Sequence, residues 1–135
     1  MGTRLVFLDS SVLVAILAGE NDAPIWSRRL AETNDILTSP LVVLETVMRL
    51  STKLDLHPGL AMTVVKTALQ EANVTVAHIT EADGTVAIDA FARYGKGRGH
   101  PAQLNMADCM AYACARNRGL KLLYKGNDFA ATDLA

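Results

Sequence analysis

The sequence predicts an α/β protein, a three-layer α/β/α sandwich built on a central parallel sheet. Short apolar runs of strand length alternate with longer stretches of helical periodicity, and that alternation requires crossover connections and hence parallel pairing. The first of these runs, residues 4–8, reads as a fully buried strand. The 135 residues are half hydrophobic but only 5% aromatic, enough for one domain, residues 1–135, with an aliphatic core.

The elements follow in order. Residues 4–8 form a short, apolar, turn-bounded run that reads as a buried strand. Ser10 or Ser11 caps a short helix that Gly19 stops. A second helix is expected over 22–33, with Pro24 in its first turn, and a strand over 35–38. Ser39-Pro40 pairs a cap with proline at the first helical position and opens a helix to about residue 55. Pro58 opens another, to about residue 72, before a strand at 74–76. Thr80 caps a helix ending near Tyr94, and residues 95–101 make a glycine-rich, flexible basic loop. Asn105 caps the last helix, which runs to Asn117 and is stopped by Gly119, and 120–124 completes the sheet.

Net charge is −1, so the whole chain is neither strongly basic nor strongly acidic. Its distribution is uneven, however. From Arg93 to Lys125 lie seven basic residues and a single acid, Asp108, a net +6 that could face an anion. Cys109 and Cys114 stand five apart on an expected helix and point to different sides, so they read as buried reduced thiols of a cytoplasmic protein. No zinc spacing, phosphate-binding glycine loop, nucleophile elbow, signal peptide or membrane-length apolar run is present.

Four acids stand alone in apolar or turn surroundings: Asp9 after Leu5-Val6-Phe7-Leu8, Glu45 within Leu41-Val42-Val43-Leu44-Glu45-Thr46-Val47-Met48, Asp108 within Asn105-Met106-Ala107-Asp108-Cys109-Met110, and Asp128 before Phe129. A carboxylate among apolar neighbours loses hydration and must shift its pKa or find a cation. Each also has a plain structural reading: Asp9 and Asp128 as caps, Asp108 as a favourable charge in the first turn of a helix, Glu45 as a solvated helix residue. Taken together they suggest a cluster for a hard divalent cation, since such ions take oxygen ligands. In open parallel sheets the site lies beyond the carboxyl ends of the strands, where Asp9 and Asp128 both arrive.

At these residues the chain resembles a known family. Leu8-Asp9-Ser10-Ser11-Val12-Leu13, Ser39-Pro40-Leu41-Val42-Val43-Leu44-Glu45, Leu104-Asn105-Met106-Ala107-Asp108-Cys109-Met110-Ala111 and Leu122-Leu123-Tyr124-Lys125-Gly126-Asn127-Asp128-Phe129 are similar to the signatures of PIN-domain ribonucleases, in particular the VapC-type toxins of toxin–antitoxin pairs. The resemblance spans essentially the whole chain. It implies a PIN-like fold and an endoribonuclease, dependent on Mg²⁺ or Mn²⁺, that cleaves structured RNA such as tRNA or ribosomal RNA with a metal-activated water. It also implies a homodimer and a small VapB-type antitoxin.

On that basis Asp9 and Asp108 are the principal metal ligands. Glu45 is a ligand or water-orienting base, Asp128 an accessory ligand, and Ser11, Asn105 and Asn127 support the carboxylates. Arg98, Arg116 and Lys125 are the expected phosphate contacts. The chain departs from the pattern at Asn127, where the family usually has an acid, at Ala107, often Gly, and at Lys125, frequently Thr. The missing acid keeps a second reading alive, a catalytically weak PIN-like domain that binds RNA or protein. A phospho-receiver with Asp9 as acceptor is disfavoured, because Ser10 stands where a paired acid belongs.

Overall fold

The computed structural model describes residues 5–135. The first strand, β1, spans Val6–Leu8; the expected start at Arg4 lies outside the described residues. There follow α1 (Ser10–Leu17), α2 (Ala23–Ala31), β2 (Ile36–Thr38), α3 (Pro40–Lys53), α4 (Pro58–Glu71), β3 (Val74–Val76), α5 (Glu81–Tyr94), α6 (Met106–Asn117) and β4 (Lys121–Leu123). All strand pairings are parallel, in the order β3-β2-β1-β4, with Val6 opposite both Ile36 and Lys121. The α/β sandwich expected from the alternating pattern is the one observed, and the helices flank a central sheet.

The strand order creates the site. The chain runs outward from β1 through β2 to β3, then returns to place β4 on the other side of β1. Connections diverge at the β1–β4 boundary, the position beyond the strand carboxyl ends at which open parallel sheets bind their ligands. Phe7 and Leu8 are fully buried there, in a core they share with Val12, Leu50, Tyr112 and Phe129. Thr38, itself buried at the end of β2, donates its hydroxyl to the Leu8 carbonyl (2.8 Å) and locks the strand ends together.

Three local expectations change. The cap of α1 is Asp9, not Ser10 or Ser11: its backbone is extended and its carboxylate accepts the Ser11 N–H (3.1 Å), which puts both serines inside the first turn. The α3 face buried in the core is Val42, Thr46 and Leu50, so the face of Leu41, Glu45 and Met48, which the apolar run around Glu45 suggested would be dry, is partly open, with Met48 60% exposed. The loop 95–101 is closed at its base, because the Lys96 N–H donates to the Leu104 carbonyl and the Leu104 N–H to that of Tyr94 (both 2.9 Å). Gly95 is required at this closure, since a Cβ would lie 2.4 Å from the Phe91 carbonyl oxygen.

Candidate active site

Asp9 follows β1 directly and extends its ladder, donating its N–H to the Leu123 carbonyl of β4 (3.0 Å). Its side chain is buried at 4% residue exposure. Oδ2 accepts both the N–H (3.1 Å) and the hydroxyl (2.6 Å) of Ser11, which fixes the rotamer. Burial raises the Asp9 carboxyl above its ordinary range; the Ser11 hydrogen bonds pull it down and the Glu45 charge pushes it up further.

Asp108 occupies the first turn of α6, 6% exposed. It forms a reciprocal capping box with Asn105: its N–H donates to Asn105 Oδ1 (2.8 Å), and its Oδ2 accepts the Asn105 N–H (3.1 Å). The cap expected of Asn105 is thus also a clamp on the carboxylate. Burial drives the Asp108 carboxyl up to about 7, the Asn105 N–H opposes it, and the charges of Asp128, Asp9 and Glu45 add to the rise. Asp108 thus feels the charge of each of the other three candidate acids. Glu45, half-buried on α3, accepts the hydroxyl of the buried Ser10 (2.5 Å), while Asn127 and Asp128 are exposed in the turn after Gly126.

The donor set suits a hard divalent cation by its chemistry. It consists of carboxylates without thiol or imidazole, two of them buried and proton-hungry, a charge arrangement that a cation would relieve. As the side chains stand, no three acidic, imidazole or thiol groups among the described residues converge on one point. Glu45 is turned to Ser10 and Asp128 to solvent, so the cluster is open.

The basic segment is distributed differently from its sequence. Arg118 forks onto the buried Asp83, and Arg116 pairs with Asp133 (2.9 Å). Lys125 lies between Glu20 and Asp22. Two of the expected phosphate contacts, Arg116 and Lys125, therefore carry acidic partners from their own chain. Among the described residues no acid lies within ion-pair distance of the exposed Lys96 or Arg98; the Arg98 guanidinium rests over the Phe91 ring at 5.6 Å.

The PIN domain family model matches residues 6–134. A VapC ribonuclease of Rhizobium meliloti (strain 1021) is 42% identical, over 95% of this chain and 98% of its own length, and ribonuclease VapC28 of Mycobacterium tuberculosis is 36% identical over 94% and 93%. The chain belongs to the PIN-domain family of VapC ribonucleases. The PIN fold itself is shared with a crystal structure of Mycobacterium tuberculosis VapC20 (TM-score 0.78, 21% identity, covering 96% of each chain). It is shared as well with a toxin–antitoxin complex from Klebsiella pneumoniae (TM-score 0.70, 15% identity, covering 96% of this chain and 93% of that one).

Sequence reasoning missed one residue that touches the candidate acids and one buried acid that lies apart from them. Ser10, read only as an alternative cap, holds Glu45; no local signal marks it, because Glu45 comes from a helix 35 residues away. Asp83 is an acid as buried as Asp9; it closes a capping box with Thr80, which the sequence marks only as the cap of the helix. Its carboxylate also takes the Asn117 amide and the Arg118 fork, so it serves the α5–α6 junction rather than the acid cluster.

Proposed function

We infer that this VapC-family chain is the toxin of a type II toxin–antitoxin pair, an endoribonuclease that depends on Mg²⁺ or Mn²⁺ and acts on structured RNA in the cytoplasm. The observation that carries the metal dependence is the pair Asp9 and Asp108. Both are buried, Asp9 directly after β1 and Asp108 in the first turn of α6; each has an oxygen fixed by a neighbour, and burial raises both, with the Glu45 charge adding at Asp9 and the charges of Asp128, Asp9 and Glu45 adding at Asp108. These two would hold the cation, with Glu45 and Asp128 completing the set and Asn127 offering an amide oxygen where a further carboxylate would add charge. When bound, a divalent ion supplies Lewis-acid charge stabilisation at the phosphodiester and activates water.

The chain's own residues do the rest. Ser11 and Asn105 keep the two buried carboxylates from rotating, and Ser10 holds Glu45 where it can orient a water or accept its proton. Burial of Asp9 and Asp108 excludes bulk water from one side of the site and strengthens every charge interaction within it. Lys96 and Arg98 would steady flanking phosphates. VapC20 is described as a sarcin–ricin loop cleaving toxin, which supports ribosomal RNA as one substrate class, with tRNA the other. The neighbouring toxin–antitoxin complex supports a VapB-type partner. Exposed apolar side chains such as Met48, Ile88 and Met106 offer surface for a homodimer or antitoxin contact.

The test is cleavage of total RNA with and without Mg²⁺ or Mn²⁺. Activity should vanish in excess chelator and in Asp9→Asn or Asp108→Asn. Asp128→Asn should lose less, because that carboxylate is exposed and its neighbour is already an amide. Cleavage that survives chelation, or survives Asp9→Asn, overturns the metal mechanism, and RNA binding without cleavage at any metal concentration favours the binding domain instead.

A further inference from the structure

Lys125 is tied down at both ends. Its main-chain N–H donates to Ser11 Oγ (2.9 Å), and that same hydroxyl donates to Asp9 Oδ2 (2.6 Å). Its ammonium lies between Glu20 and Asp22 (2.9 Å to Asp22 Oδ1) in the turn joining α1 to α2. Those acids are held in their turn: Glu20 Oε2 accepts the Lys53 ammonium (3.1 Å) from the end of α3, and Asp22 Oδ2 accepts the Trp26 indole N–H (3.0 Å). Immediately after Lys125 comes Gly126 at φ +97°, a left-handed pivot, and then the exposed Asn127 and Asp128. One residue thus stands between two acid-bearing segments, reaching Asp9 through a serine and Asp128 through a glycine.

The geometry points to Lys125 as a positioning residue for the acid site: by gripping Glu20 and Asp22 it fixes the main chain that holds Ser11 against Asp9 and from which the Asn127–Asp128 turn departs. An isolated surface ion pair does little. This one differs in two respects. It joins a network of four charged side chains and an indole drawn from three separate segments, and its main-chain amide ends on a hydroxyl that touches the buried carboxylate. Loss of the ammonium would also leave Glu20 and Asp22 to repel each other across the place where it sat, moving the α1–α2 turn away from residue 125. The inference rests on the acid cluster being the catalytic site, and it assigns Lys125 to that cluster's geometry rather than to RNA.

The test compares Lys125→Met with Lys125→Arg. In the metal-free protein, Lys125→Met should speed hydrogen exchange at the residue 125 amide and shift the Asp9 carboxylate carbon resonance, with Lys125→Arg close to the parent on both. In cleavage assays kcat should fall about tenfold with KM for RNA unchanged, and Lys125→Arg should restore most of it. The salt dependence of RNA binding should stay as in the parent. A raised KM with a shallower salt slope and normal kcat would overturn the proposal and return Lys125 to the phosphate contacts. Unaltered exchange and an unaltered Asp9 resonance would overturn it as well, leaving a surface ion pair. Because the exchange and resonance measurements need neither RNA nor metal, they decide the matter even if the parent protein cleaves nothing.

Discussion

Asp108 gives the site a pH dependence that can be worked out in advance. Its carboxyl is raised to about 7, by burial first and then by the neighbouring acids, against the opposing Asn105 hydrogen bond. A group with that midpoint is roughly one-tenth ionised at pH 6 and roughly nine-tenths at pH 8. A carboxylate must lose its proton to ligate a metal. Apparent Mn²⁺ affinity should therefore rise about tenfold from pH 6 to pH 8, more if Asp9, also raised, titrates in the same range. Calorimetric titration in buffers of differing ionisation enthalpy should show protons released on binding, about half of one per site from Asp108 at pH 7. The sign for folding runs the other way. Folded Asp108 keeps its proton up to about pH 7, whereas the unfolded chain gives it up near 4. The native state binds more protons across that window, so metal-free stability falls as pH rises through it, and added Mn²⁺ restores it. Asp128→Asn should move the Asp108 titration downward by removing a neighbouring charge. An affinity that is flat from pH 6 to pH 8, with no proton release and an Asp108 midpoint near 4, would refute the argument and with it the idea that burial primes this carboxylate.

Two further outcomes follow from the charge pairs. Arg118→Met strands the Asp83 carboxylate, 1% exposed, with only its Asn117 and Thr80 partners, and should cost about 3 kcal/mol; in thermal melts that is about 12 °C. Burial alone would raise the Asp83 carboxyl, but Arg118, Asn117 and the Thr80 N–H outweigh it and hold it far below the usual carboxylate range. The pair's contribution is therefore present above about pH 4 and fades as pH falls below it, so the melting gap between parent and Arg118→Met should narrow at pH 3; an equal gap at both pH values would count against an ionic origin. Replacing Lys96 and Arg98 together with Ala should weaken RNA binding and lower its salt slope by up to about 2, with Mn²⁺ affinity unchanged, and an unaltered slope would mark the loop as ordinary surface.

The architecture was legible in the sequence because its signals are local. Strand runs such as Val6-Phe7-Leu8, the Ser39-Pro40 start and the Thr80 and Asn105 caps depend on neighbours within one turn, and they fix elements whose alternation leaves parallel pairing as the consistent solution. Asp9 and Asp108 were legible as candidates for the same kind of reason, ionisable groups set among apolar neighbours, and the fold buries both, whereas Glu45 is half-buried and Asp128 exposed. The sequence by itself therefore determined the fold class and nominated Asp9, Glu45, Asp108 and Asp128. Tertiary structure decided which charges remain free. Lys125 meets Glu20 and Asp22 more than 100 residues away, Arg118 meets Asp83 at 35, and Ser10 meets Glu45 at 35. A basic stretch of +6 became, once folded, paired Arg93, Arg116, Arg118 and Lys125, with Lys96, Arg98 and Lys121 exposed and without an acid at ion-pair distance among the described residues. Coulomb interactions act over a few ångströms of space regardless of chain separation, so a tally of charge along the sequence cannot anticipate them until the chain has brought the partners together.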